Sequence, residues 1–237
     1  SRGHYVQCFE DSMAAFCGVR YGITTSSGTS ALHLALLALG IAPGDEVIVP
    51  ALTYVASANA VAYIGARPVF VDVDPDTWNI NLTQVQAKIT PRTTAIIPVH
   101  LYGHPVDMDA LMAIAGERGL SVAEDACEAH GSEYKGRRAG ALGHVGCFSF
   151  YGIKVVTTGE GGMLVTDSED IATTARSLRN QATVTEDEYW HSHIGFSYRL
   201  TNLQAAVGVA QLERVSQFVA ARQHLVQLYD SLLDGTP

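Results

Sequence analysis

Lysine is scarce in this chain of 237 residues, at only three positions, Lys88, Lys135 and Lys154. Fifteen Lys and Arg stand against 24 Asp and Glu, for a formal charge of −9. Without a basic footprint to displace counterions, the chain is not expected to bind nucleic acid, although one local site for a small anion stays open. The four cysteines, Cys8, Cys17, Cys127 and Cys147, form no C-x-x-C pair. Such scattered thiols suggest a reducing setting, and a cytoplasmic location is expected. Long apolar runs are missing as well. The most apolar helix candidate, residues 31–39, is too short to cross a bilayer. No apolar run follows Ser1-Arg2-Gly3-His4-Tyr5, so neither a signal peptide nor membrane association is expected. With 22 Gly and 8 Pro, the disordered and collagen-like classes fall away. What remains is 47% hydrophobic and 16% charged, the profile of one large globular domain or two small ones.

Short, continuously apolar strand candidates lie at 46–49, 68–73, 94–99, 120–124, 145–150 and 162–165. Helical patterns intervene at 29–39, 54–64, 82–89, 107–118 and 168–180. Apolar strands that alternate with helices predict an α/β fold, a three-layer arrangement with a mainly parallel sheet and helices on both faces. After Arg199 the strand runs cease, and from 201 to 233 the apolar residues follow helical spacing. The chain therefore divides into a large domain, 1–200, and a helical segment, 201–237. The apolar stripe of that segment needs a packing partner, and it is read as the approach to a C-terminal domain.

Three places could carry chemistry. Ser26-Ser27-Gly28-Thr29-Ser30 precedes an apolar helix, and free N–H groups at a helix start can cradle a phosphate; a plain N-cap accounts for the same residues. Asp125 closes a predicted strand, at the edge where open α/β sheets bind ligands. An acid there could serve a metal, a ribose or a protonated ring nitrogen, or simply cap a helix. Lys154 follows an aromatic strand, Phe148-Ser-Phe-Tyr-Gly-Ile-Lys. Partial desolvation there would free its amine as a nucleophile, whereas a snorkelling surface lysine is the plainer alternative. A phosphate cradle, an acid at a strand end and a sheltered lysine are together the three contacts that pyridoxal phosphate needs. His100 and His104, and His191 and His193, lack matching Cys or carboxylate spacing, and no metal site is expected.

The chain resembles the DegT-type nucleotide-sugar aminotransferases, which share the fold-type-I architecture of aspartate aminotransferase. The resemblance is carried by Ser27-Gly-Thr-Ser-Ala-Leu-His-Leu-Ala-Leu, Gly44-Asp-Glu-Val-Ile-Val-Pro and Gly65-Ala-Arg-Pro-Val-Phe-Val-Asp-Val-Asp-Pro. It continues through Glu124-Asp-Ala-Cys-Glu-Ala-His-Gly and Thr157-Thr-Gly-Glu-Gly-Gly. It implies that Lys154 is the Schiff-base lysine, that Asp125 partners the pyridine nitrogen and that Tyr54 stacks on the ring. Gly28, Thr29 and Ser149 would bind the phosphate. Glu128 falls where many members have Gln beside the ring, a feature of the perosamine-synthase branch. Ser197 stands where the family usually has an Asn supplied to the neighbouring subunit's phosphate. The implied activity is transamination of a nucleotide-linked 4-keto-6-deoxyhexose, GDP-linked in that branch, with glutamate as donor and a homodimer as the assembly. Family members also begin earlier and extend beyond residue 237, and a non-catalytic cofactor-binding fragment or regulator is the alternative to an enzyme.

Overall fold

A computed structural model describes residues 3–184 and 190–235. In chain order its elements are α1 (His4–Cys17), β1 (Tyr21–Thr25), α2 (Gly28–Ala38), β2 (Glu46–Pro50), α3 (Ala56–Tyr63) and β3 (Arg67–Val71). Next come α4 (Leu82–Lys88), β4 (Thr93–Ile96), a short 3-10 turn (Leu101–Gly103), α5 (Met108–Arg118) and β5 (Ser121–Asp125). A two-strand hairpin, β6 (Glu133–Tyr134) and β7 (Arg137–Arg138), precedes β8 (Val145–Ser149) and β9 (Gly162–Thr166). Helices α6 (Glu169–Arg179), α7 (Asn202–Leu212) and α8 (Val215–Leu233) complete the order.

The seven main strands form one sheet in the order β1-β9-β8-β5-β4-β2-β3. Every pairing from β8 to β3 is parallel, and β9 alone runs against both of its neighbours. Alternate residues of each strand serve opposite faces. Val47, Val49, Ala95, Ala123, Cys147 and Leu164 pack with α2, α3 and α6. Ile48, Ile96 and Val122 pack with α4 and α5, while Phe148, Met163 and Val165 pack with α1 and α7. This is the expected three-layer sandwich, since strands buried on both faces must be apolar throughout.

Helix α1, strand β1 and the β6–β7 hairpin go beyond the expectation, and the first two help to build the core. Helix α1 buries Val6, Phe9, Met13 and Cys17 at helical spacing, and its Phe9 ring packs 4.8 Å from that of Phe150. Strand β1 is an edge strand with little apolar character. Its Thr24 donates through N and Oγ1 to the buried carboxylate of Glu10, at 2.9 and 2.8 Å.

The predicted helical stretch after Arg199 is two helices, not one. Leu212 and Val215 are both buried, and the chain bends between them at Arg214 (φ −111, ψ 7) to turn both inward. Helix α7 packs on the large core, where Gly208 lies against the Phe9 ring. Helix α8 then leaves the core, with Leu225, Leu228, Tyr229 and Leu232 exposed.

Candidate active site

The carboxyl ends of β1, β5 and β8 meet the start of α2, and the cavity there is about 460 Å³. Gly28, Thr29, Tyr54, Asp125, Glu128, Ser149 and Lys154 all line it. Residues that are 126 positions apart in the chain thus converge because parallel strands place their ends along one edge.

The phosphate end is built first. Ser27 caps α2: its Oγ accepts from the N–H of Ser30, and the Ser30 hydroxyl accepts from the N–H of Ser27 at 2.9 Å. As first residues of the helix, Gly28 and Thr29 have no intrahelical acceptor for their N–H groups. A Cβ on Gly28 would lie 2.8 Å from Ser149 Cβ and 2.9 Å from Cys127 Sγ. Glycine is therefore required for the helix start to come this close to β8, and its N–H groups border the cavity, where they can meet a phosphate.

Asp125, buried at the end of β5, is held from two sides. Ser57 Oγ donates to Oδ2 at 2.7 Å and the Cys127 N–H donates to Oδ1 at 3.2 Å. Each oxygen keeps a lone pair for a protonated ring nitrogen. Burial, then the charge of Asp125, raises the Cys127 thiol well above its ordinary pKa, so it is an inert wall and not a second nucleophile. The Tyr54 ring is 75% exposed at the rim, free to lie over a ligand.

Lys154 sits in a loop pinned by Phe150 N–H to Gly161 O (2.8 Å) and Thr158 N–H to Phe150 O (2.9 Å). Its Nζ donates to Glu128 Oε1 at 3.2 Å, and Glu128 Oε2 accepts from the Tyr102 N–H at 3.0 Å. Its side chain is 18% exposed, sheltered as expected. Ser197 lies elsewhere: it is exposed, does not line this cavity, and accepts from Arg199 Nη2 at 3.0 Å.

Sequence reasoning missed the residues behind the site. Ser57 carried no motif. Glu124, next to Asp125 and so on the opposite face of β5, is fully buried. It accepts from His100 Nε2 (2.8 Å) and from the N–H groups of Gly140 (2.8 Å), Leu142 (2.7 Å) and Gly143 (2.5 Å). His100 Nδ1 accepts from the Val106 N–H at 3.1 Å, which assigns the ring proton to Nε2. His100 is thus a packed hydrogen-bonding group. His104 is exposed, His191 Nδ1 faces Gln181 O at 2.8 Å, and His193 Nδ1 faces Ser192 Oγ at 2.9 Å. Among the described residues no three His, Cys, Asp or Glu side chains cluster as a metal site.

His130 is also buried, between the rings of Phe148 (5.3 Å) and Phe150 (5.6 Å). Burial, with the charge of Lys154 adding to it, lowers its pKa to about 3. The Ser149 backbone opposes this only in part, because its geometry falls short of a full hydrogen bond. Between pH 6.5 and about 3 the unfolded chain therefore binds a proton here that the folded chain does not. Stability is lost as pH falls through that window, by at most about 1.4 kcal/mol per pH unit for this one group. Chemical denaturation at stepped pH should show His130→Leu with a shallower acid slope than the parent; equal slopes would refute the assignment.

Comparison with known proteins shows the family. The model of the DegT/DnrJ/EryC1/StrS aminotransferase family matches residues 1–237. The chain belongs to that family. Its GDP-perosamine synthase relatives include one from Caulobacter vibrioides, 52% identical over 98% of this chain and 63% of that protein. One from Escherichia coli O157:H7 is 48% identical over 97% of this chain and 63% of that protein. Among solved structures, S. venezuelae DesV in complex with a ketimine intermediate superposes with a TM-score of 0.95 at 44% identity, covering 99% of this chain and 63% of that one. The chain thus spans less than two thirds of these relatives. Pyridoxal phosphate, the cofactor of the family, fits the donors present: the start of α2 on the cavity wall, an oriented Asp125 and a sheltered Lys154. No helix among the described residues is long and apolar enough to cross a membrane.

Proposed function

We propose that the protein is a pyridoxal-phosphate-dependent aminotransferase of nucleotide-linked 4-keto-6-deoxyhexoses, with glutamate as amino donor. The carrying observation is that Lys154, Asp125 and the α2 start line one cavity. Bound there, the cofactor supplies an electron sink for a carbanion beside nitrogen. The chain's own groups do the rest. Gly28, Thr29 and Ser149 bind phosphate, and Tyr54 covers the ring face against water. Asp125 holds a proton on the ring nitrogen. Lys154 Nζ would anchor the cofactor and, released when the donor's amine takes its place, would carry the proton away from the donor's α-carbon. An intact set of this kind supports an enzyme over a non-catalytic binder. The GDP-perosamine synthases among the relatives support GDP-4-keto-6-deoxymannose as the sugar.

The assembly is a homodimer with a two-fold interface. Tyr63, Phe70 and Ile194 expose large apolar surfaces, and the exposure of Ser197 supports a contact with a neighbouring subunit. The four free cysteines suit a cytoplasmic setting. Incubation with glutamate and a panel of GDP- and dTDP-linked ketosugars should release 2-oxoglutarate, fastest with the GDP-linked substrate. No release with any of them would reject the reading.

A further inference from the structure

Glu128 uses its two carboxylate oxygens on two different partners. Oε1 accepts from Lys154 Nζ at 3.2 Å, and Oε2 accepts from the Tyr102 N–H at 3.0 Å. The second bond sets the direction of the first, because with Oε2 held by the backbone, Oε1 is turned toward the amine. A glutamine here has one oxygen, and the partner that lost it would meet the amide NH2, donor against donor.

The N–H that holds Glu128 is presented at a conformational cost. Tyr102 has a left-handed backbone (φ 52, ψ 24), which is unfavourable for a residue with a Cβ. Burial of the side chain does not explain it, because the ring is 76% exposed. What the conformation does is aim the N–H at the carboxylate. The turn is also fastened on both sides. Before it, the His100 N–H donates to Asp125 O at 3.1 Å. After it, Gly103 O accepts from Ser132 Oγ at 2.7 Å, and a Cβ on Gly103 would lie 3.3 Å from the carbonyl oxygen of Glu128. Leu101 of the turn, Asp125 and Glu128 all line the cavity that holds Lys154.

We propose that Glu128, aimed by the Tyr102 N–H, is the positioning residue for the Lys154 amine during amino transfer. The role rests on the aminotransferase reading above, in which Lys154 is released as a free amine and takes the proton of the donor's α-carbon. A free NH2 group that donates one N–H to Oε1 keeps its lone pair for that proton and is restrained from turning away on its long flexible stem. The electron pair of the broken C–H bond passes to the cofactor's electron sink, the proton goes to Nζ, and the amine becomes an ammonium. Its contact with Glu128 is then an ion pair, so the carboxylate stabilises a charge that develops only as the proton moves.

The test uses the full chain loaded with pyridoxamine phosphate, a state in which the Lys154 amine is free and no turnover is needed. Acetic anhydride labels free amines, and the exposed Lys88 serves as internal standard. Lys154, paired with Glu128, should label slowly; Glu128→Gln should label it about tenfold faster, the equivalent of one hydrogen bond to a charged group. At Tyr102 the backbone should matter and not the ring. Tyr102→Gly keeps the N–H and is at ease at positive φ, so it should retain the protection, whereas the β-branched Tyr102→Val should lose it. In a single turnover with glutamate, Glu128→Gln should lower the saturated rate about tenfold and leave the half-saturating glutamate concentration unchanged. Equal labelling of Lys154 in the parent and in Glu128→Gln would overturn the proposal, and so would protection lost in Tyr102→Gly as fully as in Tyr102→Val. Either result beside normal amino transfer by the parent would leave the reaction assignment standing without this role. Protection lost as expected, in a protein that transfers no amino group, would sink the reaction assignment while the hold of Glu128 on the amine stood.

Discussion

Borohydride treatment of the protein loaded with pyridoxal phosphate is expected to fix the cofactor on a single peptide, the one that contains Lys154, and Lys154→Ala is expected to carry none. Competition from other amines is small because only two other lysines exist. Lys88 ends α4 on the surface, and Lys135, in the hairpin turn, is exposed and ion-paired with Asp109. Only Lys154 shares a cavity with Asp125 and the α2 start. Loss of its amine removes both the anchor and the proton carrier, and the second role alone is worth about 10²–10⁴-fold in rate. Amino transfer should therefore fall by at least that much, while the fold, read by circular dichroism, stays. Cofactor mapped to Lys88 or Lys135 would refute the assignment.

Glu124→Leu is expected to destabilise the fold by about 3–5 kcal/mol, the largest loss expected from one substitution in this region. The carboxylate accepts four hydrogen bonds at full burial, three of them from the backbone of the turn at 140–143. Leucine fills the volume but leaves those donors without acceptors, and each orphaned buried donor costs about 1–3 kcal/mol. Glu124→Gln, which keeps one acceptor oxygen, should fall between. His100 also ties this cluster to the functional edge, because its backbone N–H donates to Asp125 O at 3.1 Å. Cofactor affinity should accordingly weaken in Glu124→Gln even where the protein remains folded. Urea denaturation that places Glu124→Leu within 1 kcal/mol of the parent, on the order of the error of such measurements, would rule out this role.

The inner strands and the helices between them were legible because their apolar residues report burial on both faces, a local property. The predicted strand at 145–150 and the observed Val145–Ser149 differ by one residue. Helix α1 had a readable period, 6-9-13-17, but Gln7, Glu10 and Asp11 break up its stripe. Glu10 is in fact buried, satisfied by Thr24 and Arg179 from distant parts of the chain. Strand β1 was hidden for the complementary reason: Thr24 and Thr25 are buried polar residues, Thr24 satisfied by Glu10 on α1 and Thr25 by the Ser27 carbonyl of the following turn.

By itself, the sequence determined the layered arrangement and offered the chemical types: a helix-start glycine, a strand-end acid and a lysine just past an aromatic strand. Those follow from burial patterns and from the shortage of lysine, which need only neighbouring residues to be seen. Tertiary structure alone decided that Glu124 is a structural acceptor while Asp125 faces the cavity, that Ser57 orients Asp125, and that Glu128 meets both Lys154 and the Tyr102 N–H. Each of these depends on the direction of a side chain relative to groups tens of residues away. Adjacent residues on a strand point to opposite faces, and which face meets the ligand is set only when the sheet is assembled.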